Sequence, residues 1–159
     1  MPFQRTAFAS IVSALRTRLS AYNLTANWVG LQGEPQFWSG DYQITLSPGS
    51  ATVDEGTTTG TGRYGSLIRR QIEVTLMTRT YEDEGERATA ALLNHLSVEE
   101  VLIDALHLWM PEDANGLVAE PIRMVGPSKP VQKQGIITST LLFDSLYPAL
   151  LESGAVPSP

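Results

Sequence analysis

Apolar side chains near the start of the chain recur at helical spacing. Phe8, Ile11, Val12, Leu15 and Leu19 fall along one stripe of a helix predicted over residues 6–21, with Thr6 as its N-cap. Arg5, Arg16 and Arg18 lie off that stripe. Residues 23–40 hold Trp28, Phe37 and Trp38 among glycine and proline, the pattern of an irregular, partly buried connection. The period then changes to two. Tyr42, Ile44 and Leu46 alternate with Gln43 and Thr45 in a strand opened by Asp41 and ended by Pro48 and Gly49. Residues 50–65 are rich in glycine and threonine and read as a long flexible loop. The strongest strand follows over 66–80. It carries Ile68, Ile72, Val74 and Leu76 on one face and Arg69, Gln71, Glu73, Thr75 and Arg79 on the other. Such two-sidedness belongs to an antiparallel sheet covered on one side. Arg70 falls on the apolar face, which places an edge or interface there.

Two helical segments are predicted next. Thr80-x-x-Asp83 starts the first, with Ala88, Ala91, Leu92 and Leu96 as its stripe. Ser97-Val98-Glu99-Glu100 has the form of a capping box and starts the second or bends the first, with Val98, Val101, Leu102, Ala105 and Leu106 following. Asn115-Gly116 marks a turn. A strand over 117–125 contains Pro121, which assigns it to an edge or a bulge. Residues 126–130 form a turn, 135–143 the last strand, and the tail from Leu146 an extended arm. The order gives an α+β fold: a four-stranded, mainly antiparallel sheet with helices on one face and a long loop between the first two strands. A chain of 159 residues suits one domain, over 1–145, with an arm over 146–159.

Charge sharpens this picture. Residues 82–113 hold nine acids and one base, Arg87, whereas the rest of the chain has ten bases and eight acids. The acidic segment reads as a solvated helical face, or as an acidic wall toward a basic partner. A pI near 4.8 argues against the basic footprint that duplex DNA requires. The absence of cysteine excludes disulfides, thiolate metal sites and cysteine nucleophiles. The longest apolar run, over 101–110, is broken by Asp104, and the start Met-Pro-Phe-Gln-Arg lacks the layout of a signal peptide. The expectation is a soluble, non-secreted protein.

Candidate chemistry is sparse. Gly60-Thr61-Gly62-Arg63-Tyr64-Gly65 spells G-x-G-x-x-G, but a polar loop precedes it and an alternating strand follows. A dinucleotide fingerprint needs a buried strand before it and a helix N-terminus after it. Glu100, Asp104 and His107 fall on one helix face at spacings suited to a metal; an exposed polar face explains them as well. Adjacent carboxylates such as Asp83-Glu84 and Glu99-Glu100 diverge on a helix. No serine lies in G-x-S-x-G. Trp28, Trp38 and Trp109 suit a core or an interface better than base stacking, since no basic patch interleaves them. The expectation is therefore no catalytic residues, no cofactor and no metal.

The order of elements over residues 6–145 resembles the tail terminator and related tail-completion proteins of tailed bacteriophages. The resemblance lies in the N-terminal amphipathic helix, the strand over 41–48, the polar loop over 50–65 and the charged strand over 67–80. An acid-initiated helix from Tyr81 and a closing pair of strands complete it. Arg70-Gln71-Ile72-Glu73-Val74-Thr75-Leu76 followed by Asp83-Glu84 carries it most strongly. The Trp-containing insert over 27–40 and the Pro-rich C-terminus depart from the pattern. The resemblance implies a non-enzymatic subunit forming a ring, usually of six, at the head-proximal end of the tail tube. Its implied partners are other copies of itself, the tail tube protein and the neck or connector protein. DNA would only pass through the lumen, without sequence-specific binding, and no membrane is involved. The implied location is the virion tail or neck, with assembly in the host cytoplasm. Arg63 and Tyr64 are the expected anchors of an assembly-interface loop. The alternatives are a head–tail connector, a tube subunit or a small non-viral binding module.

Overall fold

The computed structural model describes residues 7–28, 41–54, 67–80, 85–111, 120–126 and 128–148. The predicted first helix is present as α1, Ala7–Ala21. Its stripe buries Ile11, Leu15 and Leu19 fully, with Phe8 packed at the margin. A short strand β1, Ala26–Trp28, leads to the long strands β2, Tyr42–Asp54, and β3, Leu67–Arg79. Then come helix α2, Glu86–Leu106, short strands β4, Arg123–Met124, and β5, Val131–Lys133, and the long β6, Ile136–Pro148. The sheet runs β1-β2-β3-β6-β4, and β5 pairs with the start of β6. All pairings are antiparallel except β1 with β2.

The α+β class and the mainly antiparallel sheet agree with the sequence pattern; the sheet has six strands rather than four. Register puts Ile44 and Leu46, Val74 and Leu76, and Leu141 and Phe143 on one face. These side chains share a single core with Ile11, Leu15 and Leu19 of α1 and Leu102, Ala105 and Leu106 of α2, so both helices cover that face. Full burial of each Leu, Ile or Phe contributes about 1.5–3 kcal/mol. The opposite face carries Gln43, Thr45, Gln71, Glu73 and Thr75 and has no helix on it among the described residues. β4 is an edge strand, as Pro121 beside it requires.

Several local expectations are corrected. Pro48 and Gly49 do not end the strand. Gly49 and Ser50 together oppose Gln71 in a β-bulge, and β2 continues to Asp54, through the first residues of the expected loop. A Cβ at Gly49 would sit 2.8 Å from the Cβ of Gln71, so only glycine fits this approach. The remainder of the expected loop, 55–66, lies outside the described residues, as does Thr6. Arg70 is not at an edge, since β3 is paired on both sides. Its guanidinium lies over the Phe8 ring at 5.1 Å and donates to the Tyr147 hydroxyl at 3.1 Å and the Gly49 carbonyl at 3.2 Å. Three groups of its own subunit thus satisfy a cation on the covered face.

The predicted helix pair is one helix. Ser97 does not cap a second one; its hydroxyl bonds back to the Leu93 carbonyl at 3.0 Å. Strand β5 has no counterpart in the sequence pattern. Gln134 and Gly135, both at positive φ, make a two-residue turn of the kind that matches hairpin twist. β6 continues through Pro148 and buries Leu146 and Tyr147, so the first three residues of the expected arm belong to the sheet. Residues 149–159 lie outside the described part.

Candidate functional site

Beneath the sheet, α2 places His95 and Glu99 one turn apart on its buried side. Thr78 of β3 and Ser139 of β6, on the covered face, meet them from below. His95 Nδ1 lies 2.8 Å from the Thr78 hydroxyl and Nε2 lies 2.7 Å from Ser139 Oγ. Ser139 donates to Glu99 Oε2 at 3.0 Å, and Ser128 donates to Glu99 Oε1. One arrangement of protons satisfies every member: Thr78 donates to Nδ1, Nε2–H donates to Ser139, and both serines donate to the carboxylate. The imidazole is then neutral with its proton on Nε2. Burial holds the His95 pKa below its ordinary value, with the Glu99 charge pulling the other way.

A serine, a histidine and a glutamate in contact invite comparison with a hydrolase triad. The roles run the wrong way. In a triad the histidine accepts the serine proton, whereas in the proton arrangement above Ser139 accepts from His95 and gives its proton to Glu99. His95 and Ser139 are also both 0% exposed, beyond reach of any substrate. The set is a polar seam in the core, tying α2 to β3, β6 and the segment before β5. The hydrogen bonds that form it join residues up to 44 positions apart, and the sequence offered only one signal: polar residues at 95 and 99 in step with Ala88, Leu102 and Leu106.

The residues singled out from the sequence have other settings. Glu100 and Asp104 are exposed on the outward side of α2. His107 follows the helix as its C-cap, exposed, and its Nδ1 accepts the Met124 N–H at 3.0 Å. No three potential ligands converge to hold a metal among the described residues. Arg63, Tyr64 and the whole G-x-G-x-x-G segment lie outside the described residues. Trp109 is half-buried, and Arg18 lies between it and Tyr22, at 5.5 and 5.1 Å from the ring centroids. The Arg18 guanidinium also donates to the Ala105 carbonyl at 3.0 Å, satisfying the last turn of α2.

The surface holds the features suited to binding. α2 exposes Leu93 and Val101, and the segment after it exposes Leu108 and Met110. Val131 of β5 is 57% exposed. On the sheet face opposite the helices Arg69 pairs with Glu120 at 2.8 Å and approaches Asp144 at 3.7 Å. No helix among the described residues is long and apolar enough to cross a membrane. These surfaces can make protein contacts; the buried seam cannot.

No family model and no curated protein matches the chain. Among solved structures, a chain from "Virion of native gene transfer agent (GTA) particle" superposes with a TM-score of 0.49 at 15% identity, over 87% of this chain and 91% of that one. A likeness at that level carries nothing about function, which has to be read from the surfaces of this chain.

Proposed function

We propose that the chain is a structural virion protein without enzymatic activity, a tail terminator that assembles as a ring at the head-proximal end of a phage tail tube. The observation that carries this reading is the outward side of α2, where Leu93 is 60% exposed and Val101 lies beside Glu100 and Asp104. In a ring a neighbouring subunit would cover Leu93 and remove its apolar area from water. The sequence resemblance supplies the role: a ring, six subunits in the family, that stops tube polymerisation, meets the neck protein and lets DNA pass through its lumen.

Native mass spectrometry of the purified protein, and electron microscopy of it mixed with tail tubes, test the proposal. The expected outcome is a closed ring that caps tube ends and limits tube length. Binding to the connector but not to tube ends would assign the chain to the neck instead. Monomers alone and with every tail component would end the structural reading.

A further inference from the structure

We infer that the outward side of α2 docks head-to-tail onto the exposed β5 end of the sheet face opposite the helices in a second copy of this chain. The inference rests on the ring reading and names its subunit contact. On α2, Glu86, Leu93, Glu100 and Asp104 follow one another at intervals of seven, seven and four residues, two turns and then one, so they form a strip opposite the buried His95 and Leu102. All four are exposed, and Val101 flanks them. The strip is apolar at its middle and acidic along its length.

The complementary patch is built by register. Met77, Thr138 and Val131 form one row across β3, β6 and β5, and Arg79, Ile136 and Lys133 form the next. These residues alternate with the ones that face the helices, so both rows belong to the opposite face; Gln43, beside Met77 on β2, is buried, and the rows become exposed only at Val131 and Lys133 of β5. Val131 is 57% exposed, and Lys133 and the nearby Lys129 are exposed. Here the middle is apolar and the exposed charges on β5 and just before it are cationic. One surface is acidic around Leu93 and the other basic around Val131, and opposite charges around apolar centres fix both partner and orientation.

The sheet itself separates the two surfaces: α2 lies over one face and the rows lie on the other. They cannot meet within one subunit. A contact between different surfaces of identical chains is heterologous, and it closes into a ring when the rotation between neighbours permits. An isologous pairing of α2 with α2 would set acids against acids.

The experiment blocks one surface at a time. Leu93→Asp removes the apolar centre of the strip, and Val131→Asp that of the patch; both sites are exposed, and circular dichroism confirms that each variant folds. Each alone is expected to be monomeric in native mass spectrometry. Mixed in equal amounts they should give a one-to-one dimer and nothing larger, because each retains the surface the other has lost. As a second route, Asp104→Lys and Lys133→Glu should each raise the concentration for half-assembly about tenfold, and together should restore it. Rings that persist in either aspartate variant, or a mixture with no dimer, would overturn the inference while leaving the ring reading intact. Dimers formed by Val131→Asp alone would replace it with an α2–α2 contact. A wild-type chain that never assembles would remove the ring reading itself.

Discussion

Helix α1 buries Ile11, Leu15 and Leu19 and exposes Ser13, Arg16 and Thr17, whereas α2 buries His95 and Glu99 among its core positions and exposes Leu93 and Val101. Both helices cover the same sheet face. The first follows the hydrophobic stripe; the second partly inverts it. The inversion is tolerable inside because every seam group has a hydrogen-bonding partner, so little desolvation is left uncompensated. Outside, it leaves apolar area in water unless another molecule covers it. The contrast teaches that α1 keeps its large apolar side chains inside, while α2 leaves two outside, on the side proposed above to meet a second copy.

The sharpest way to break the contrast is inside. Ser139→Ala removes the acceptor for His95 Nε2–H and one donor to Glu99, and should destabilise the fold by about 1–3 kcal/mol in urea unfolding. Ser13→Ala on the exposed side of α1 should change it by less than about 0.5 kcal/mol. Equal costs at the two sites would mean that water enters the seam.

A smaller effect is expected from pH. Because the folded chain holds the His95 pKa below that of the unfolded chain, the unfolded state takes up the proton first as pH falls. Stability should be full above about pH 6.5, decline below it, and level off once pH passes the lowered pKa, as far as this residue is concerned. His95→Gln should remove that part of the slope. Unfolding curves between neutral and mildly acid pH decide it; an unchanged slope in the variant would assign the dependence to other groups.

The smallest effect on folding belongs to the outward side. Leu93→Ala should change unfolding free energy by no more than about 0.5 kcal/mol when measured at dilutions where subunits are separate. The same variant should assemble less readily than wild type. A large loss of folding stability would show that Leu93 packs within its own subunit.

Local order was legible in the sequence wherever a single period ran uninterrupted. The α1 stripe, the alternation of β3 and the edge position next to Pro121 all follow from nearest-neighbour geometry, since 3.6- and 2-residue periods decide which side chains share a face. Glu100 and Asp104 are exposed together on α2, as their spacing of four predicts. Features that depend on a distant partner were not legible. Pro48 and Gly49 read as a stop, yet the neighbouring strand carries β2 past them through a bulge. Ser97 read as a cap, yet continuous packing against β3 leaves no helix end there to cap. β5 is three residues long and exists only because the turn at Gln134 and Gly135 folds it onto β6. His95 and Ser139 stand 44 residues apart, and their contact arises only when α2 crosses the sheet at the height of Thr78. Local pattern sufficed for α1, for β3, for the sheet's two-sidedness and for the acidic character of α2. Tertiary structure alone decided which polar groups are buried and which apolar ones are left outside, because burial is a property of the neighbours a side chain meets and not of the chain beside it.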